Sequence, residues 1–301
     1  MSLLSKIETG KKKKAVCIVF YGVKGIGKSS FPLGAPSPIY LGSEDNSELD
    51  AAKFPQVKTW SEFEQYLSTL LKETHDYKTL VIDTVDNLQE IAEMEILAKE
   101  PGKTMATALG GYGKAYERMA NMFLNVRENY LKPLRETKGM NIILLAHAEK
   151  VKHEDPMTGG AWDNYQTAIH KKVKPIFEDW CSAILFANYT VKIVKDDKAA
   201  SATGRFIYTE ENPSHIAKNR FNLPDILPFT KTGTFKNLMC LIEKFYDEKG
   251  DAEELRKEIE ELLPSMPEDV KPKVVDLVSK AQNNVEDLNK IVKRMRGYKQ
   301  G

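Results

Sequence analysis

The chain has 301 residues, enough for one large domain or a domain with a smaller companion. Apolar residues at 42% allow a packed core, and a formal net charge of +1 leaves no global field to select a nucleic acid or a membrane as partner. Cys17, Cys181 and Cys240 form no C-x-x-C pair, the histidines show no zinc spacing, and no apolar run approaches the ~20 residues that cross a bilayer; reduced thiols in a cytoplasmic protein are expected.

Residues 1–14 are a basic arm without an apolar stretch of signal-peptide length. Its lysines suit either a solvated arm or a contact with nucleic acid. Ala15 to Tyr21 is uncharged and rich in Val, Ile, Phe and Tyr, as a buried strand is. It runs into G-x-x-x-x-G-K-S, Gly22 to Ser29. Gly22, Gly25 and Gly27 lack a Cβ, so the backbone can take positive φ and turn its N–H groups toward phosphate oxygens. Lys28 brings a charge to the β- and γ-phosphates, and Ser29 a hydroxyl to Mg²⁺. Val23, Lys24, Ile26 and Ser30 complete the expected nucleotide contacts. A helix starting near Lys28 would add its unpaired N–H groups, cut short by Pro32, Pro36 and Pro38. A plain glycine turn with a solvated lysine is the alternative; the strand directly before it decides for phosphate.

Pro38 to Leu41 is a second short strand, ending in Gly42-Ser43-Glu44-Asp45-Asn46. Acidic residues at such an end lie where open α/β sheets bind ligands. Glu44 or Asp45 could polarise the water that attacks a γ-phosphate; an acidic turn capping the next segment is the competing reading. Val57 to Thr59 reads as a brief strand, and Ser61-x-x-Glu64 as the capping box of the next helix. Thr79 to Ile82 is a third apolar run, suited to a buried parallel strand, and Asp83 closes it as a carboxylate for the Mg²⁺ shell. Asp86 reads as a cap of the helix running to Lys99. Lys103 to Gly113 is a glycine-rich stretch, either ligand-facing or a linker, and Tyr116 to Leu134 a long core helix.

Met140 to Ala146 is another buried strand, with His147 directly after it. From there His147 could donate to a γ-phosphate. Residues 150–174 read as a polar loop in which lysines accompany Trp162 and Tyr165, a composition for single-stranded nucleic acid or for an ordinary surface loop. Two strands follow within Trp180–Val194, then a hairpin turn at Ala199–Gly204 and an edge strand at Arg205–Tyr208. Lys218 and Arg220 stand in a polar loop and suit a finger reaching a neighbour's nucleotide, or an exposed basic turn. Beyond Thr234 three or four amphipathic helices follow, at Phe235–Tyr246, Ala252–Leu263, Val270–Ala281 and Val285–Arg296. The domain plan is thus an arm (1–14), an ATPase core (15–233) and a helical region (234–301).

Taken in order, G-V-K-G-I-G-K-S-S, G-S-E-D, W-S-E-F, D-Y-K-T-L-V-I-D-T, G-Y-G-K-A-Y, N-I-I-L-L-A-H and A-K-N-R-F resemble the phage-encoded RecA-like nucleotide-binding proteins. These AAA-type ATPases include the Sak-like single-strand annealing and recombination group. The resemblance implies a RecA-like α/β P-loop fold, ATP and Mg²⁺ as cofactors, and homo-oligomers with nucleotide between subunits. It also implies single-stranded DNA as partner and the cytoplasm of a phage host as location. It assigns Lys28 and Ser29 to phosphate and metal, Asp83 to metal, Glu44 to water activation, His147 to γ-phosphate sensing, and Lys218 and Arg220 to action in trans.

The expected fold is a mostly parallel sheet with helices on both faces and a C-terminal helical region. The expected activity is Mg²⁺-dependent ATP hydrolysis coupled to single-stranded DNA. An ATP-switched annealing or loading protein with negligible hydrolysis is the alternative, and a P-loop kinase, lacking an arginine-rich lid, a weaker one.

Overall fold

The computed structural model describes residues 13–154, 159–193, 200–230, 233–282 and 284–298. They divide into two compact units, Lys14–Leu238 and the residues from Met239 onward. In chain order the strands are β1 (Cys17–Gly22), β2 (Pro38–Leu41), β3 (Ala52–Lys53), β4 (Thr79–Ile82), β5 (Asn141–Glu154), β6 (Ala161–Thr167), β7 (Ala183–Ile193), β8 (Ala200–Tyr208), β9 (Lys218–Asn219) and β10 (Ile226–Pro228). The helices are α1 (Trp60–Lys72), α2 (Val85–Leu97), α3 (Lys114–Val126), α4 (Lys132–Glu136), α5 (Lys174–Glu178), α6 (Thr234–Leu262), α7 (Lys271–Ala281) and α8 (Val285–Tyr298).

The sheet of the first unit runs β10-β8-β7-β1-β5-β4-β2-β3, with β6 on β5 and β9 on β7. From β7 to β3 every pairing is parallel; β8, β10, β6 and β9 join antiparallel. This is the mostly parallel α/β arrangement the sequence predicts. β1 is buried along its whole length, which is why it reads as one apolar run. Its Cys17, Val19 and Tyr21 join the core shared with α1 to α4. Phe20 faces the other way, stacked on Phe31 at 4.0 Å and edge-on to Phe229. Phe235, in the first turn of α6, closes on Phe31 at 5.3 Å. The strand bearing the glycine loop and the strand bearing Asp83 are not neighbours: β5 lies between them.

The structure differs from the sequence reading at several places, each for a physical reason. The capping box is Thr59–Glu62, two residues ahead of the expected Ser61–Glu64: Thr59 Oγ1 accepts from Glu62 N–H and Glu62 Oε2 accepts from Thr59 N–H. Thr59 is therefore a cap and not the end of a strand; the short edge strand is β3 instead. The long helix expected at Tyr116–Leu134 is α3 continued through a π-helical turn, Arg127–Leu131, into α4. Within the polar stretch 150–174, the residues up to Glu154 and Ala161–Thr167 are strand and not loop. β5 continues past His147 to Glu154 and β6 pairs antiparallel with it; the β5 half of the pair is largely solvated, while Asn164 and Thr167 of β6 are buried polar residues. Trp180–Val194 holds one strand, β7, in place of two, and β8 starts at Ala200, inside the expected turn; Ala199 lies outside the described residues. β8 is not an edge, because β10 pairs outside it, and the expected loop at Lys218 is the short strand β9. Residues 1–12 of the arm also lie outside the described residues.

In the second unit the two helices expected before Leu263 are one, α6, whose start belongs to the first unit. Ile259, Leu262, Val274, Leu288, Ile291 and Met295 pack a small core of their own, while Leu277 is exposed. Among the described residues no helix is long and apolar enough to cross a membrane.

The cap assignment separates two neighbouring hydroxyls. Thr59→Ala should destabilise the first unit by about 1 kcal/mol, whereas Ser61→Ala should change it by less than about 0.5 kcal/mol. Urea midpoints of the two variants test this, and a larger loss at Ser61 would contradict the assignment.

Candidate active site

The glycine loop leaves β1 between two longer strands. Gly22 sits level with His147 of β5 on one side and Ala187 of β7 on the other. Gly25 and Gly27 take the positive φ expected, 75° and 109°. Gly22 does not; a Cβ there would meet the Ala187 carbonyl oxygen at 2.5 Å, so close packing is what requires it. Ile26 is buried and anchors the loop, its N–H bonded to the Val23 carbonyl at 3.3 Å. The N–H groups of Gly25, Gly27, Lys28 and Ser29 make no backbone–backbone hydrogen bond among the described residues. Lys24 is exposed, and Ser30 precedes the next turn.

Only a four-residue 3-10 helix, Phe31–Gly34, follows the loop, in place of the expected α-helix start at Lys28. Pro32 in its first turn and the prolines beyond it give no room for another turn. The anion cradle therefore rests on loop N–H groups and Lys28, without an α-helix macrodipole. Lys28 is 8% exposed, and its Nζ donates to the carbonyls of Gly22 and Val23, both at 3.4 Å. Burial holds the Lys28 ammonium below its ordinary pKa, against the pull of the carboxylates of Asp86, Glu44 and Asp83.

Those carboxylates come from two parallel strand ends. Leu41 lies beside Ile82, so the residues after β2 and β4 leave the sheet together. Their backbones touch: a Cβ on Gly42 would stand 1.9 Å from the Asp83 carbonyl oxygen, so only glycine fits. Asp83 N–H donates to the Leu41 carbonyl at 3.1 Å, and Glu44 N–H to that of Asp83 at 3.4 Å. The Asp83 side chain is 0% exposed, and neither carboxylate oxygen has a hydrogen-bond partner. Burial raises its pKa to about 6, with Glu44 adding to the rise; the nearby Ser29 and Asn46 side chains and Lys28 oppose it.

Glu44 and Asp45 part company. Asp45 is exposed and accepts from Ser47 N–H at 2.9 Å, a turn bond that holds its carboxyl below the ordinary value. Glu44 turns to the loop side: its Oε1 accepts from Asn87 Nδ2 at 2.9 Å and lies 3.5 Å from the Thr84 hydroxyl and 3.9 Å from His147 Nε2. His147 lies within β5. Asp86 accepts from its backbone N–H at 2.9 Å and from Nδ1 at 2.7 Å. A carboxylate only accepts, so Nδ1 carries a proton, and Nε2 donates to a phosphate oxygen only when the ring is doubly protonated. Burial pushes the Asp86 carboxyl up, but the bonds from His147 outweigh it and leave it below its ordinary value. Asp86 is thus no cap; the cap position of α2 is Thr84.

Lys218 and Arg220 stand apart from this cluster. Lys218 pairs beside Ile184, level with the early residues of β1, whereas the glycine loop follows its end. Lys218 Nζ donates to the carbonyls of Glu178 and Asp179 at 2.7 and 3.1 Å, and Arg220 to that of Asp179 at 3.3 Å. The sequence reading missed Asp86, Asn87 and two residues on the loop's other flank, Tyr189 and Arg205. For the first pair a signal existed, since a polar first turn after a strand that ends in Asp points back at the strand ends. For the second pair none did.

The residues present fit a nucleotide and a hard divalent cation. A buried carboxylate without a partner, close to the Ser29 hydroxyl, is an oxygen donor set of the kind Mg²⁺ takes. No cluster of three or more His, Cys, Asp or Glu able to hold a metal occurs among the described residues, so phosphate and water would supply the other ligands.

The family model described as "AAA domain" matches residues 14–221. No curated protein matches the sequence. Among solved structures, a KaiC-like protein from the hyperthermophilic archaeon Pyrococcus horikoshii is similar at 10% identity and a TM-score of 0.38, over 72% of this chain and 90% of that one.

The Asp83 carboxylate generates a pH prediction. Its folded pKa of about 6 lies above the unfolded value, so its favourable contribution to folding is complete below the unfolded pKa and is lost as pH rises through 6. Without metal or nucleotide, Asp83→Asn should therefore stabilise the protein by about 3 kcal/mol at pH 8, with the gain shrinking toward pH 5. Urea titrations in a chelator would read this, and equal midpoints at pH 8 would contradict it.

Proposed function

This chain belongs to the AAA domain family, across residues 14–221, and on that premise we propose that it is a Mg²⁺-dependent ATPase acting on single-stranded DNA. The observation that carries the reading is the convergence of Lys28, Asp83, Glu44 and the Asp86–His147 pair on one glycine loop. The loop N–H groups and Lys28 bind the β- and γ-phosphates, and Ser29 and Asp83 hold the cation. When bound, Mg²⁺ neutralises charge that builds on the transferring phosphoryl group. Glu44 orients the attacking water, with Asn87 and Thr84 keeping its carboxylate in place. Asp86 fixes the ring of His147, whose doubly protonated form offers Nε2–H to the γ-phosphate.

Lys218 and Arg220 bond to the Glu178 and Asp179 carbonyls and not to their own chain's loop, and in this reading they act on a neighbour. That makes the interface head-to-tail, with one end of each subunit facing the other end of the next. The ordered motifs support a reading of the protein as one of the RecA-like phage recombination, annealing or replication ATPases, at work in the host cytoplasm.

Support for the DNA partner comes from Leu109–Gly113. Five successive residues have positive φ, of 54°, 84°, 76°, 53° and 76°, and Tyr112 among them is 97% exposed. Two non-glycine residues in this region cost conformational energy, and the outcome is a bare aromatic ring held in water. Tyr116 stacks on His170 at 4.4 Å in the adjoining turn, and Lys172 joins Glu117 there. An aromatic platform beside lysines is what an unpaired base and its phosphate need. The hairpin β5–β6 offers less than its composition promised: Lys150 lies over the Tyr165 ring, while Lys152 and Lys174 pair with Glu154 and Glu149.

Lys28→Ala should lower turnover by about 100-fold or more. The double variant K218A/R220A should also be inactive, yet equimolar mixing with K28A should restore turnover, because each supplies what the other lacks. ATP binding without turnover in the wild type would favour the switch alternative, and failure of the mixture to recover would remove the trans role.

Tyr112→Ala should weaken single-stranded DNA binding by about tenfold and leave the salt dependence of affinity unchanged, since a stacked base is lost and no phosphate contact. Unaltered affinity in a fluorescence anisotropy titration would take this loop out of the interface.

A further inference from the structure

The second flank of the glycine loop has no assigned role. β7 and β8 run past the end of β1, and there Tyr189 and Arg205 face each other as a cross-strand pair. Both side chains reach the loop. Arg205 Nη1 donates to the Ile26 carbonyl at 3.2 Å, and Tyr189 Oη to the Gly25 carbonyl at 3.2 Å. The guanidinium lies over the Tyr189 ring, 5.8 Å from its centre, so the two donors brace each other. Gly27 is packed between Arg205 and Phe229: a Cβ there would stand 3.5 Å from the Phe229 ring and 3.6 Å from Arg205 Nη1.

The consequence follows from peptide geometry. In a planar trans peptide the C=O of one residue and the N–H of the next point in opposite directions. Holding the Ile26 oxygen toward β8 therefore aims the Gly27 N–H away from β8. That N–H makes no backbone bond among the described residues, and Gly27, at φ 109°, has no side chain to restrict its rotation. Glycine-rich turns are soft, and the missing α-helix beyond Ser30 removes the usual support from the other side.

We propose that Arg205 is a positioning residue of the phosphate site, which presets the Gly27 N–H toward the anion by gripping the Ile26 carbonyl, with Tyr189 supporting it. This rests on the reading of the loop as a nucleotide site. Its action is on the ground state and the transition state alike, so it governs nucleotide affinity more than the chemical step.

Four variants of the full chain separate this from a charge effect. Arg205→Met keeps the stem but loses the donor; Arg205→Gln keeps an uncharged donor; Arg205→Lys keeps a charged one; Tyr189→Phe removes only the second grip. Binding of a fluorescent N-methylanthraniloyl ATP with Mg²⁺, the KM and kcat for ATP, and the melting temperature without nucleotide are measured for each. R205M should weaken binding by about tenfold, the worth of one oriented hydrogen bond, and raise KM in step while kcat stays within about twofold. R205K and R205Q should stay within about threefold of wild type, and Y189F should weaken binding by about threefold, all without a drop in melting temperature. Wild-type affinity in R205M overturns the proposal. So does R205Q binding as poorly as R205M, which would make charge the cause. Should R205M melt early, R205Q and Y189F decide it: R205Q weakened tenfold, or Y189F unchanged, overturns the proposal. Absence of binding by the wild type would instead bring down the nucleotide reading itself, which none of the variant outcomes touches.

Discussion

The Asp83 carboxylate is buried without a hydrogen-bond partner, and the candidate site is arranged around that unfavourable fact. Taking a carboxylate out of water costs several kcal/mol unless a charge or donors replace the solvent. Here the replacement is incomplete: Lys28 and the nearby Ser29 and Asn46 side chains favour the ionised form, yet burial still wins. A hard cation with a phosphate would complete the set. Gly42 makes the burial possible, since any side chain there would collide with the Asp83 backbone. The same close contact delivers Glu44 to the site, through its N–H bond to Asp83.

Strand order then brings the parts together. β5 stands between the loop strand and the Asp83 strand, so His147 emerges level with Gly22, and Asp86 reaches it from the first turn of α2. Lys28, three carboxylates and an imidazole thereby share a small volume at the ends of parallel strands. Charge of both signs in one poorly hydrated place is what electrostatic catalysis requires, because preset dipoles need not reorganise during the reaction. Tight carboxylate–histidine bonding also limits what His147 can do, since one nitrogen is already committed.

The loop is asymmetric in its support. On the β5 side stand groups suited to the reacting end of a triphosphate. On the β7–β8 side Tyr189 and Arg205 hold the loop's outward carbonyls, and Phe229 packs beside Gly27. With a 3-10 turn in place of a helix after Ser30, the loop leans on these strands for its shape.

Much of the core was legible in the sequence. The strands at Pro38–Leu41 and Thr79–Ile82 have the bounds expected, and β1 differs by a residue or two, because a buried parallel strand needs an unbroken apolar run that has no other use. The glycine spacing marked the turn, and Asp83 was found because a strand end is also a chain position. Other features needed the fold. Asp86 looked like a cap until β5 brought His147 against it, and residues 150–174 looked like a loop because a strand pair with a solvated β5 half and buried polar residues in β6 has a loop's composition. Arg205 carried no signal at all: its partner is the carbonyl of Ile26, every residue has a carbonyl, and only strand pairing decides which one an arginine meets. The sequence by itself determined which segments must be buried and where the backbone must turn, since these depend on side chains close in the chain. Only the tertiary structure decided which polar groups meet, since such meetings depend on register between strands far apart in sequence, and no local pattern encodes it.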